Sequence, residues 1–336
     1  MRILGIESSC DDTAAAIVED GVRLIAEAKL SSALIQQRYG GVVPEVAARE
    51  HAMAVLPVVE TVLAEAGMQL ADLDAVAVTQ GPGLLGALLV GVTFAKALAR
   101  ALHRPAIGVH HLEAHLYANS IGHPVEFPGL ALIVSGGHTS LVWWRGHGDL
   151  EVIGATRDDA AGEALDKGAR LLGLPYPGGP EIERLALTAG PEPAFRLPVA
   201  RVTGAPLDFS FSGLKTATED LVRQHPDARA GVARALQEAV VEALMKNVKR
   251  AYALYPVPHL YVAGGVAANQ RLSEALTSFG REVGATVHVP PVALCTDNAA
   301  MVAAAGYYRW QRGERLQPGE GPKTPWQLQE VARVES

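Results

Sequence analysis

The sequence predicts an α/β protein built from two related lobes. Two strand, polar turn, strand units carry that reading. Ile3 to Ile6, the turn Glu7-Ser8-Ser9-Cys10-Asp11-Asp12 and Thr13 to Val18 form the first; Leu130 to Val134, the turn Ser135-Gly136-Gly137-His138-Thr139 and Ser140 to Trp144 form the second. Between and after them lie stretches whose apolar residues recur at helical spacing.

The remaining elements follow in order. Pro44 to Ala66 has helical apolar spacing, and Pro57 should kink or divide it. Ala75 to Ala95 is charge-free and of membrane-like length. Thr79-Gln80-Gly81-Pro82-Gly83 interrupts it, so it reads as a strand, a glycine turn and a helix over Leu84 to Leu102. Arg104-Pro105 stops that helix before a strand at Ala106 to Val109, and a helix carries His111 to Ile121. Gly122-His123-Pro124 and Phe127-Pro128-Gly129 form a turn-rich connector, which sets a first lobe at 1–128 and a second at 129–294. The second lobe holds helices at Ala160 to Leu172 and Arg229 to Tyr255, then a strand at Leu260 to Ala263 that meets Gly264-Gly265 and a helix through Phe279. A small-residue helix within 295–312 is expected to return to the first lobe, and 313–336 reads as an extended tail.

Composition narrows the function classes. With 336 residues, 49% hydrophobic and 19% charged, the chain holds roughly two domains' worth of folded material. Lys plus Arg number 29 against 36 acids, a net charge of −7, and aromatics make up 5%, so neither a general basic field nor a stacking platform exists for RNA. The composition argues against a simple RNA-binding module. A nucleic-acid partner must meet a local patch, best supplied by Lys246, Lys249 and Arg250 on one helix, or be held by another subunit. Two cysteines argue against a secreted disulfide scaffold, and the apolar run before Glu7 is too short for a signal peptide. The reading is a soluble, cytoplasmic protein with no membrane partner. Cys10 and Cys295 read first as small packing residues; the sharper alternative is oxidation of thiols beside Asp11 and Asp297.

Several residues could carry chemistry. His111 and His115 lie at i, i+4 on one helix face, close enough to share a metal ion, though two ordinary buried or exposed histidines would look the same. A zinc peptidase of the H-E-x-x-H type needs Glu directly after the first His; Glu113 sits one position too late and on the opposite side. The turn Glu7 to Thr13, with Asp11 and Asp12, would suit phosphate plus metal, or be a plain hairpin. Ser135-Gly136-Gly137-His138 has the same two readings. Gly264-Gly265 with Asn269 could cradle an adenosine, or mark tight strand–helix packing. Gly213-Leu214-Lys215-Thr216 lacks the glycine spacing of a P-loop, which is rejected.

In combination these segments become recognisable. Gly5-Ile6-Glu7-Ser8-Ser9-Cys10-Asp11-Asp12-Thr13, Gly40-Gly41-Val42-Val43-Pro44-Glu45, His110-His111-Leu112-Glu113-Ala114-His115, Val134-Ser135-Gly136-Gly137-His138-Thr139, Asp208-Phe209-Ser210-Phe211-Ser212-Gly213-Leu214-Lys215 and Cys295-Thr296-Asp297-Asn298 closely resemble the TsaD family. These are transferases that make threonylcarbamoyladenosine in tRNA, formerly called O-sialoglycoprotein endopeptidases. The resemblance runs from Met1 to about Trp310.

The resemblance implies the two-lobed actin-like ATPase (ASKHA) fold, with duplicated mixed-sheet lobes around a central cleft. It implies transfer of the threonylcarbamoyl group from threonylcarbamoyl-AMP to the N6 amine of the adenosine next to the anticodon, in tRNAs reading codons that begin with A. His111, His115 and Asp297 match the family's metal ligands, expected to hold one divalent ion between the lobes, iron(II) by preference, with zinc, manganese or magnesium as alternatives. Val134, Ser135, Gly136, Gly137, His138, Asp166, Gly179 and Asn269 match contacts to the adenylated substrate, and ATP or ADP could occupy the same cleft. Glu183 stands where relatives often have Asp. Asp11 aligns with a family acid implicated in activity, while Asp12 stands where relatives have Glu. The implied partners are tRNA, a TsaB-like paralogous subunit and a TsaE-like small ATPase. The alternatives are a small-molecule kinase of the same fold and a non-catalytic scaffold paralogue. The kinase has no use for the histidine pair, and the scaffold has no reason to keep all three ligands.

Overall fold

The computed structural model describes residues 1–37, 39, 41–190, 195–200 and 202–331. Gly40 of the glycine pair and the last five residues of the tail lie outside them. Strand β1 (Arg2–Glu7) is buried at every position after the first. β2 (Asp12–Glu19) returns antiparallel to it, with Leu4 opposite Ile17 and Glu7 opposite Ala14. β3 (Arg23–Ser31) pairs antiparallel with β2 at the sheet edge; its mixed, half-exposed sequence offers no apolar run, and the sequence reading omitted it. After α1 (Ala33–Gln37), helix α2 (Pro44–Ala66) has the expected bounds and continues undivided through Pro57. The Ala75 to Ala95 stretch resolves into β4 (Ala75–Gly81) and the start of α3 (Leu85–Ala101), followed by β5 (Ala106–His110) and α4 (His111–Tyr117). β4 and β5 add parallel to β1, giving the order β3-β2-β1-β4-β5.

The second sheet repeats this plan. β6 (Gly129–Val134) pairs antiparallel with β7 (Thr139–Gly146), and β8 (Asp149–Ala155) flanks β7. Helices α5 (Ala161–Leu171), α6 (Gly178–Ala186), α7 (Ser212–Gln224) and α8 (Arg229–Leu254) precede β9 (His259–Ala263), α9 (Gln270–Val283) and β10 (Thr286–His288). β9 lies parallel to β6 and β10 parallel to β9, so the order β8-β7-β6-β9-β10 matches that of the first sheet. The recurring strand–turn–strand unit therefore belongs to a recurring sheet topology. The sequence reading passed over α6 and α7, which open on Gly178-Gly179-Pro180 and Ser212-Gly213, where turn signals mask the helix. The rejected P-loop residues, Gly213 to Thr216, lie inside α7.

The chain closes with α10 (Val292–Cys295) and α11 (Ala299–Gln311). It divides into two compact units: 1–126, 146–150 and 293 onward form the first; 127–145 and 151–292 form the second. Alternation along β1 sorts the first unit's core. Leu4 and Ile6 pack with Val76, Val78 and the apolar residues Val55, Val58, Val59 and Val62 of α2. Gly5, between them, points to the other face, where α11 lies so close that a Cβ would sit 2.6 Å from the Ala303 nitrogen. At Gly306 a Cβ would come 2.5 Å from that of Ala77. Small residues on both surfaces thus set α11 directly on the sheet, with its first residue, Ala299, beside Gly5. No described helix is long and apolar enough to cross a membrane.

Candidate metal centre and active site

The helix that carries the two candidate histidine ligands begins where β5 ends. His110 is extended (φ −78°, ψ 127°), and its Nδ1 accepts the Leu112 amide at 3.1 Å, so a histidine caps α4. All seven residues of α4 are buried. The i, i+4 spacing places the His111 and His115 rings 4.7 Å apart. Glu113, on the far side, accepts from Arg309 Nη1 at 2.6 Å and Arg312 Nη2 at 3.2 Å and is fully buried. Its carboxylate is committed to that ion pair, which removes the general base a peptidase would need.

The third candidate ligand, Asp297, stands just before α11. Asn298 caps this helix, its Oδ1 accepting the Met301 amide at 2.8 Å while its Nδ2 donates to Leu294 and Thr296 carbonyls. Glu27 of β3 accepts the Ala299 amide at 3.0 Å, and Lys29 donates to the Asp297 carbonyl at 3.2 Å. Asp297 is held so that its Oδ1 lies 3.2 Å from His115 Nε2 and 3.6 Å from His111 Nε2. Metal–ligand bonds of about 2.0–2.2 Å put neighbouring donors roughly 3.0–3.5 Å apart; the Asp297 oxygen stands near that distance from both imidazoles, and the three donor atoms all lie within 4.8 Å of one another. Both ring nitrogens of His115 are buried without a well-aligned hydrogen bond among the described residues, and Nε2, the one facing Asp297 Oδ1, is the atom a cation would engage. Two imidazoles and one carboxylate fit a first-row divalent ion with open positions. All three candidate ligands belong to the first unit.

Charge supports the grouping. Burial alone would raise Asp297, but His111 and then His115 hold its carboxyl well below the usual range. Burial would lower His111; Asp297 and Glu7 overcome it and lift the imidazole to about 9. Glu7 itself is lowered against burial, chiefly by His111. Its Oε2 lies 3.2 Å from His111 Nδ1 and accepts Thr79 Oγ1 at 2.6 Å, while Oε1 accepts the Ser9 amide at 2.6 Å. Sequence reasoning gave Glu7 no role of its own. The available signal was an acid ending a fully apolar strand, but its partners are far away in the chain.

The first polar turn is anchored through its backbone. The Ser9 carbonyl accepts the Leu84 amide at 2.8 Å, the Cys10 carbonyl lies 3.0 Å from His51 Nε2, and the Asp11 carbonyl accepts both the amide and hydroxyl of Ser32. His51 is a further residue that sequence reasoning missed; its other nitrogen lies 2.7 Å from Thr13 Oγ1. Burial and then Asp12 raise the Asp11 carboxyl. Neither Cys10 nor Cys295 is in a disulfide; burial pushes the first thiol well up, with Asp11 adding to it, and the second to about 11. Thiols held protonated are poor nucleophiles, which favours the packing account.

In the second unit the Ser135 to His138 turn is closed by the Ser135 amide donating to the His138 carbonyl at 2.8 Å. A side chain at Gly264 (φ +92°) would strike the Val134 carbonyl, so tight packing explains this glycine. Gly136 and Gly137 have open space where a Cβ would stand, leaving their backbone approachable. Asp166 Oδ1 accepts the Gly178 amide at 2.7 Å, bringing it beside Gly179 at the start of α6. Asn269 caps α9 through the Leu272 amide and donates to Gln237, and Glu183 accepts the Gln270 amide at 2.7 Å. Lys246, Lys249 and Arg250 share α8, but Lys249 lies over the Phe279 ring and Arg250 donates to the Pro206 carbonyl.

Two mixed five-stranded sheets of one topology define an α/β protein with the actin-like fold. HypF from T. kodakarensis (TM-score 0.61, 15% identity, 93% of this chain and 48% of that one) has a similar fold. So does component A of (R)-2-hydroxyglutaryl-CoA dehydratase from Acidaminococcus fermentans (TM-score 0.55, 15% identity, 92% and 98%). The family model described as TsaD: tRNA N6-adenosine threonylcarbamoyltransferase matches residues 23–304, and the chain belongs to that family. Relatives bearing the same name are 53% identical in Anaeromyxobacter dehalogenans strain 2CP-C (97% of this chain, 99% of the relative) and 51% identical in Moorella thermoacetica (93% and 92%).

Proposed function

We propose that this chain performs its family's transfer: the exocyclic N6 amine of the tRNA adenosine next to the anticodon attacks the carbamoyl carbon of threonylcarbamoyl-AMP. The new N–C bond forms, the C–O bond to phosphate breaks, AMP leaves with that bond's electron pair, and the amine gives up one proton. The observation that carries the reading is the convergence of His111, His115 and Asp297, with the buried His115 ring making no well-aligned hydrogen bond among the described residues. These three residues would hold one divalent ion, which supplies Lewis-acid stabilisation of phosphate or carbamoyl oxygens. Two imidazoles and a carboxylate favour iron(II), with zinc, manganese and magnesium as alternatives.

The other residues have separate tasks. Glu7 orients His111. Asp11, raised by burial, orients the amine or accepts its proton on a carboxylate oxygen. The turn Val134, Ser135, Gly136, Gly137 and His138 offers backbone amides to the substrate phosphate, with Gly136 and Gly137 leaving room for close approach. Asp166, Gly179 and Asn269 complete the contacts to the adenylated substrate, or to ATP or ADP in its place. A net charge of −7 leaves tRNA binding to a local patch or to helper subunits, here a TsaB-like paralogue and a TsaE-like ATPase acting with the chain in the cytoplasm. The test is to incubate the protein with threonylcarbamoyl-AMP and unmodified tRNA, with and without these partners, and weigh the nucleosides. Absence of threonylcarbamoyladenosine under every combination rejects the reading.

A further inference from the structure

The carboxy-terminal tail follows the ends of the first sheet. The Leu316 amide donates to the Ala106 carbonyl at 2.9 Å, and Lys96 Nζ donates to the Pro318 and Glu320 carbonyls at 2.6 Å each. Gln80 donates to Gly321 at 2.8 Å and accepts the Lys323 amide at 2.8 Å. The tail then arrives at His110, with the Trp326 carbonyl 3.1 Å from His110 Nε2 and the two rings 4.8 Å apart. Arg309 and Lys323 lie over the Trp326 ring at 5.6 and 4.7 Å, and Arg309 also holds Glu113 of α4. Because His110 Nδ1 accepts the Leu112 amide, the ring proton sits on Nε2 and points to the Trp326 carbonyl. One fully buried imidazole therefore joins the tail to the cap of α4, directly before His111.

We infer that Trp326 is a positioning residue for the ligand helix: through His110 it sets the start of α4 and hence the aim of His111 and His115. This rests on the assignment of those histidines as metal ligands. The strap also makes the tail, which lies beyond the part matched by the family model, a component of the site.

The test uses the full chain as Trp326→Ala, Trp326→Phe, His110→Asn and the Ala/Asn double variant. Asparagine still caps a helix but cannot reach the Trp326 carbonyl, so it separates capping from strapping. Cobalt(II) is the probe. Affinity should fall about tenfold in Trp326→Ala and in His110→Asn, with no further fall in the double variant and most of it restored by phenylalanine. In the metal-free protein, amide exchange over 111–117 should quicken in the same variants. Wild-type affinity together with wild-type exchange in His110→Asn overturns the inference, and so do fully additive losses. If Trp326→Ala fails to fold, the Phe and Asn variants carry the comparison. If the wild type binds no cobalt(II), the ligand assignment fails, while the exchange measurement still decides whether the strap sets α4.

Discussion

Glu7, at the end of β1, and His111, at the start of α4, share a hydrogen bond, with Oε2 of the one 3.2 Å from Nδ1 of the other. The bond keeps a proton on Nδ1 and turns Nε2 toward Asp297. Glu7→Gln keeps the shape but removes the charge that orients the ring. We expect metal affinity to fall between about tenfold and 100-fold, read by competition with a chelator. Unchanged affinity would remove Glu7 from the site.

Metal should also stabilise the fold. Without it, His115 Nε2 is buried with only the poorly aligned Asp297 carboxylate to face. A divalent ion at 100 times its dissociation constant should add about 2.7 kcal/mol to the unfolding free energy. His115→Ala should abolish this metal-dependent gain along with bound metal, measured by thermal melts and elemental analysis. A gain that persists in the variant places the ion elsewhere.

Glu113 makes a different prediction. It is fully buried against Arg309, itself 9% exposed, so Glu113→Ala strands a buried guanidinium. A loss of about 3–5 kcal/mol is expected in denaturant unfolding, toward the lower figure because Glu314 still pairs with both arginines. Peptidase activity should be absent from wild type and variant alike. A stable variant lacking activity would instead argue for a chemical role.

Stability should respond to pH through His147. Burial, then the charge of Arg312, lowers its imidazole to about 4, and it lies 2.8 Å from the Tyr117 hydroxyl and stacks on Tyr308. The unfolded chain takes up this proton near its ordinary value of about 6.5, before the folded protein does. The contribution is therefore complete above that value and is lost as pH falls from about 6.5 toward 4. His147→Phe keeps an aromatic stack and should flatten this part of the melting-temperature profile. Equal slopes in both proteins would show that other groups dominate.

Much of the fold and part of the site are legible from local order in the chain. Short apolar runs on either side of a polar turn mark β1, β2, β6 and β7, and helical spacing with Pro44 at its start marks α2 to the residue. The i, i+4 relation of His111 and His115 needs only a helix, and the ordered motifs carry the family. β3, β10 and α6 escape because an edge strand, a three-residue strand and a helix opening on glycines owe their existence to neighbours rather than to their own pattern.

The sequence by itself determined which residue types are present, which share a helix face, and that Glu113 cannot take the peptidase position. Only the tertiary structure decided what they meet. Asp297 reaches the histidines because Gly5 and Gly306 let α11 settle against the sheet, and because Asn298 and Glu27 hold the start of that helix. Glu7 became the residue behind His111, Glu113 the partner of two arginines, and Trp326 the contact of His110, each across a long span of chain. Periodicity reports the geometry of one element, whereas these pairings depend on the distance between elements, which is set by the side-chain volume between them.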